Sequence, residues 1–111
     1  MIYLRKLFYD IVVVRAGIAG CMAALGAKSD DNRVLLVEKN SCVGGLATLG
    51  LVNPFMRYWL DSEKLIGGAF EILLYVMQKN GGLLHNTFDS EIMKIELLKM
   101  LEKSGVDLLF N

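Results

Sequence analysis

The sequence predicts an α/β chain built on a doubly wound parallel sheet of about three strands with flanking helices, and three observations predict it. Two short apolar runs, Asp10-Ile11-Val12-Val13-Val14 and Arg33-Val34-Leu35-Leu36-Val37, have the β-branched, non-alternating character of strands buried on both faces. A glycine-bearing loop and an alanine-rich stretch separate them. A third run, Val106 to Phe110, repeats the strand pattern near the end of the chain.

The first strand leads directly into Arg15-Ala16-Gly17-Ile18-Ala19-Gly20, which fills the frame G-x-G-x-x-G with arginine in the first glycine slot. Cys21 to Lys28 reads as the helix that opens on this loop, and Glu38 follows the second strand, 18 residues beyond Gly20. Strand, glycine loop, helix, strand and terminal acid at this spacing make a dinucleotide-binding βαβ unit, the start of an incomplete Rossmann-like sheet. The chemistry explains the pattern. A pyrophosphate needs backbone N–H donors and the positive end of a helix dipole, and a loop-to-helix junction supplies both. Gly17 leaves room for the backbone to approach phosphates, and Gly20 lets the helix lie close to the strand. Glu38 is placed to accept hydrogen bonds from ribose hydroxyls. The bland alternative is that Gly17 and Gly20 serve only a tight turn and helix packing.

Beyond the unit, Glu38-Lys39-Asn40-Ser41-Cys42-Val43-Gly44-Gly45-Leu46-Ala47-Thr48 runs on into Leu49-Gly50-Leu51-Val52-Asn53-Pro54-Phe55-Met56. Together with Tyr9 to Val14, this resembles the amino-terminal part of bacterial FAD-dependent oxidoreductases with a two-dinucleotide-binding-type FAD domain. The likeness extends to Gly105-Val106-Asp107-Leu108-Leu109-Phe110 and is densest from Tyr9 to Met56. It implies FAD rather than NAD. It places Glu38 and Lys39 by the adenosine ribose, and Gly44, Gly45, Leu46 and Thr48 in a loop passing close to the FAD. Arg15, Ala16, Gly17, Ile18, Ala19 and Gly20 would form the phosphate loop.

Two departures from that pattern bear on function. Arg15 replaces a glycine that makes the tight turn out of the strand, and a non-glycine residue held in such a conformation costs about 1–3 kcal/mol. A guanidinium pairs well with phosphate if it swings outward; the steric penalty is expected to outweigh this and weaken FAD affinity. The second departure is length. The chain of 111 residues has room for one domain at most. Residues 1–111 are therefore expected to form a partial FAD-binding domain, with the second half of the sheet and a substrate domain supplied in cis or in trans.

Composition agrees with this. Twelve basic and 12 acidic residues balance, which gives no indication of nucleic-acid or anionic-membrane partners. Hydrophobic residues make up 54% and mean hydropathy is +0.43, both high for a small domain. A piece of a larger α/β protein carries such surplus apolar surface, and an unpaired edge on its first strand invites self-association.

The remaining elements follow from periodicity and caps. Met1 to Phe8 is a mixed basic and apolar lead-in. Ser62 to Lys79 is expected to be a helix with Leu65, Ile66, Ala69, Phe70, Leu73, Leu74 and Met77 on one stripe, capped by Asp61 or Ser62 and ended by Gly81-Gly82. Another helix is expected from Ser90 to Lys103, capped by Asp89 and stopped by Gly105, with Ile92, Ile95, Leu98 and Leu101 facing inward. Ser41 to Leu60 is a long connection holding the only proline, and such connections are usually functional. Its Arg57, Tyr58 and Trp59 would either orient a substrate or pack on a second domain; packing is the favoured reading. His85 lacks neighbours at metal-ligand spacing and reads as a solvated loop residue. Cys21 and Cys42 are too few for a zinc or iron–sulfur motif, and both read as packing residues.

Ile18-Ala19-Gly20-Cys21 resembles a lipoprotein cleavage box, but Asp10 and Arg15 interrupt the apolar core a signal needs. No run approaches the ~18 apolar residues of a membrane span, so a cytoplasmic location is expected. Two readings remain. One is the amino-terminal FAD-binding portion of an FAD-dependent oxidoreductase, inactive alone. The other is a truncated, non-catalytic remnant that binds no FAD.

Overall fold

The computed structural model describes residues 6–111; most of the lead-in expected at Met1 to Phe8 lies outside these residues. In chain order the elements are β1 (Ile11–Val14), α1 (Ile18–Ala27), β2 (Val34–Glu38), a 3-10 turn (Gly45–Ala47), β3 (Trp59–Leu60), β4 (Glu63–Lys64), α2 (Ala69–Lys79), β5 (Leu83–Leu84), β6 (Thr87–Phe88), α3 (Ser90–Ser104) and β7 (Asp107–Phe110). The three predicted strands form one parallel sheet in the order β1-β2-β7. Its β1–β2 register pairs Ile11 with Val34 and Val14 with Val37, and its β2–β7 register pairs Leu36 with Leu108 and Glu38 with Phe110. Strands advancing in one direction across a sheet, joined by right-handed crossovers, put their helices on the same face. The core bears this out: Val34 and Leu36, with Val13 and Leu108 beside them, pack against Cys21 and Ala24 of α1 and Met93, Leu97 and Leu101 of α3.

Local chemistry explains most of the boundaries. The Asp89 carboxylate accepts from the N–H groups of Glu91 (2.9 Å) and Ile92 (3.0 Å), an N-cap on α3, and Gly105 closes that helix at φ 84°. Helix α1 starts at Ile18, three residues earlier than expected, with Gly17 at its N-cap, because the loop itself turns into the first helical turn. The buried Ser90 hydroxyl donates to the Ala47 carbonyl (2.9 Å) and accepts from the Asn53 amide (2.9 Å), which ties the long connection to α3.

Three expectations are corrected. The helix expected from Ser62 begins only at Ala69: Glu63–Lys64 pairs instead with Trp59–Leu60 as a hairpin, and Gly68 at φ 65° interrupts any continuous helix. Leu65 and Ile66 are accordingly exposed. On α3, Leu101 is buried and Ile92 and Leu98 pack against the core as expected, but Ile95 is exposed and the inward face centres on Met93 and Leu97, which meet the other helices in the core, with Glu96 buried beside them. The aromatic residues of the connection do not wait for a second domain. Tyr58 stacks edge-on against Phe70 (5.3 Å between centroids) and Trp59 (4.9 Å), and Phe55 packs on Phe70 and Phe88. Cys21 is fully buried in α1, as expected, and burial pushes its thiol up to about 12.

Candidate nucleotide site

The site forms where the chain leaves β1. Arg15 turns that corner at φ 83°, inside the left-handed region that favours glycine. Its backbone is held at both ends. Its N–H donates to the Val37 carbonyl (2.7 Å), and a Cβ on Gly20 would collide with its carbonyl oxygen. Gly20 is thus the close-packing glycine of the loop. Gly17, by contrast, has nothing within 4 Å of where a Cβ would stand, so its backbone faces open space.

The second glycine loop closes over the first. The Gly44 N–H donates to the Ala16 carbonyl (2.7 Å), Gly17 and Gly44 form a parallel bridge, and a Cβ on Gly45 would stand 3.0 Å from the Gly17 Cα. Gly44 and Gly45 adopt φ of 107° and 55°. Two backbones approach here to a distance that side chains would forbid. Thr48 is buried behind this contact, its hydroxyl donating to the Val43 carbonyl (2.6 Å).

In front lies a cleft of about 610 Å³, within the range of small-ligand and cofactor sites. Among the residues singled out from sequence, Arg15, Gly17, Glu38, Lys39, Gly45 and Leu46 line it. Ile18, Ala19 and Gly20 form the first turn of α1, where their N–H groups have no intrahelical acceptor. No side chain among the described residues caps that turn, and it contains no acid. Ala16, Gly44 and Thr48 are buried and shape the cleft from behind. Sequence reasoning missed Asn40, Leu49 and Gly50, which also line it. Gly50 sits at another close turn, where a Cβ would stand 2.9 Å from the Leu46 Cα; its only mark in the sequence is the glycine itself. A second cleft of about 530 Å³ adjoins Glu38 and Arg15 at the carboxyl ends of the strands, between Val14, Val37 and Leu109.

Glu38 joins the two loops. Its carboxylate accepts from the Ala16 N–H (2.7 Å) through Oε2 and from the Asn40 N–H (3.0 Å) through Oε1. Burial alone would raise its pKa. The N–H groups of Ala16, Asn40 and Lys39, with the nearby Arg15 charge, outweigh burial and hold it below its ordinary value. Each carboxylate oxygen retains acceptor capacity beyond its one bond, so ribose hydroxyls remain compatible with this arrangement.

Residues 10–111 match the family described as FAD dependent oxidoreductase. The chain belongs to that family. Fumarate reductase (cytochrome) from Shewanella frigidimarina, and the same enzyme from strain NCIMB 400, are each 32% identical over 100 residues. Those matches cover 88% of this chain and 16% of the relatives. The crystal structure of THI4 from Thermovibrio ammonificans superposes with a TM-score of 0.57 over 92% of this chain and 38% of its own, at 14% identity, a likeness of fold. The chain therefore spans about a sixth of the curated relatives it matches. FAD is the cofactor of the family, and the residues present fit its ADP end: an uncapped helix start, a glycine face open to a cleft, and a buried acceptor beside it. Among the described residues no helix is long and apolar enough to cross a membrane, and no group of three His, Cys, Asp or Glu is placed to hold a metal.

Proposed function

We propose that this chain supplies the ADP-binding portion of an FAD site in an FAD-dependent oxidoreductase, and that the rest of the sheet and a substrate domain join it in cis or in trans. The observation that carries this is the backbone contact of Gly17 with Gly44 and Gly45, which opens a cleft in front of the α1 N-terminus. The N–H groups of Ile18, Ala19 and Gly20 and the helix dipole would hold the pyrophosphate. Glu38 would accept from the ribose while fixing the phosphate loop to the end of β2, and Lys39, exposed at the rim, would face the same nucleotide. When bound, the isoalloxazine ring supplies the hydride and electron chemistry. The residues here bind and orient the nucleotide end, and none is assigned a proton-transfer role.

A second reading, a remnant that binds no FAD, draws on Arg15 at φ 83°. Flavin retention separates the two. The chain is mixed with FAD, freed of unbound ligand, and its visible absorbance is recorded beside that of Glu38→Ala. Retained flavin that falls in Glu38→Ala is the expected result. No retained flavin in the unaltered chain, even with the 111 residues folded by circular dichroism, favours the remnant.

A further inference from the structure

We propose that Arg15 is a phosphate-pairing residue of the nucleotide cleft, one that biases the site toward ligands carrying a pyrophosphate. This rests on the nucleotide-binding reading above and concerns one residue within it.

The substitution at the first glycine slot separates into a backbone part and a side-chain part. The backbone part is contained. Arg15 takes the left-handed turn, and the Val37 carbonyl and the close-packed Gly20 fix the residue on either side. The turn occupies the left-handed backbone region that a glycine adopts freely. The residue is exposed and lines both clefts, so Arg15 stands where the two meet.

Among the described residues its side-chain donors are uncommitted. Glu38 is the carboxylate whose ionised form Arg15 favours, yet both oxygens of Glu38 already accept backbone N–H groups. Among the described residues Arg15 makes no ion pair within 4.0 Å. A planar fork of N–H donors, left free beside an uncapped helix N-terminus, matches a phosphate in geometry and charge. Lys39 lines the same cleft as a second, compact cation. The ligand class that satisfies both cations and the helix start is a nucleoside diphosphate moiety, as in the ADP half of FAD.

The test titrates ADP and adenosine against the chain and its Arg15→Ala, Arg15→Lys and Arg15→Gly variants at low and high salt. Alanine keeps the strained turn but removes the charge. Glycine removes both. Because a charge-assisted hydrogen bond carries most of the effect, Arg15→Ala is expected to weaken ADP binding about tenfold or more, with adenosine affinity unchanged. Arg15→Lys should recover part of the loss. Salt should weaken ADP binding more in the unaltered chain than in Arg15→Ala. Arg15→Gly should bind ADP as weakly as Arg15→Ala despite its relaxed turn, and it serves as the folded control if alanine fails to fold.

Tighter ADP binding by Arg15→Gly than by the unaltered chain overturns the inference while leaving the nucleotide site intact, since the arginine would then obstruct it. Equal losses for ADP and adenosine also overturn it. Absence of ADP and FAD binding in every variant overturns both the inference and the site reading.

Discussion

Val13 and Val14 are consecutive residues of one strand, yet Val13 packs against the core and Val14 is 69% exposed. The division recurs at the edge strands, while Leu35 of the central strand is buried on the same face as Val12. On one face Leu36 is 0% exposed beneath α1 and α3; on the other, Val12 is 52% and Leu109 46% exposed. Both faces are built from the same aliphatic residues, so composition cannot tell them apart. What differs is whether the described residues include a covering element. Among the described residues the open face adjoins an edge of β1 that pairs with no other strand.

The covered face should respond to substitution most strongly. Leu36→Ala is expected to cost about 2–5 kcal/mol in urea denaturation, because a fully buried side chain leaves a cavity. Val14→Ala on the open face should stay within about 0.5 kcal/mol. Comparable losses at the two positions would mean that the open face is covered in solution.

A smaller effect should appear at acid pH. The folded-state pKa of Glu38 lies below its ordinary 4.5. In that window the unfolded chain binds more protons than the folded one, so stability rises with pH. The Glu38 contribution is therefore complete above about its ordinary value and is lost as pH falls through the lowered one. Glu38→Gln should flatten this acid limb in denaturation curves recorded over a pH series. An unchanged limb would show that other carboxylates govern it.

The smallest change in stability, but a visible one in association, is expected from Val14→Lys. A charge on the open face next to a free edge opposes self-pairing. Light scattering coupled to size exclusion should show less self-association in the variant than in the unaltered chain. Identical masses would place any association elsewhere.

The parallel sheet was legible because its strands are continuous apolar runs and its first connection carries a glycine frame. The Asp89 cap and the Gly105 stop were legible for the same reason, since each rests on one residue type with one physical role. The helix expected from Ser62 was misread because Leu65 and Ile66 keep helical spacing with the true core residues, while the break depends on Gly68 adopting a positive φ. Spacing records amphipathicity and is blind to backbone sign. The same blindness hid the second hairpin, Leu83–Leu84 with Thr87–Phe88, whose turn sets His85 at φ 56° without a glycine. Within the site, the glycines and the acid were visible in the sequence. That Glu38 joins the two loops through Ala16 and Asn40 was not, because those partners are backbone N–H groups common to every residue type.

The two glycine loops are proposed to cradle the ADP end of FAD together. The most direct measurement is an amide-resolved NMR titration of the chain with FAD. The largest shifts are expected on Arg15 to Gly20, Glu38 to Asn40 and Gly44 to Leu46, with α2 and the two hairpins undisturbed. Shifts centred on the aromatic cluster of Phe55, Tyr58 and Phe70, or no shifts at saturating FAD, would contradict it.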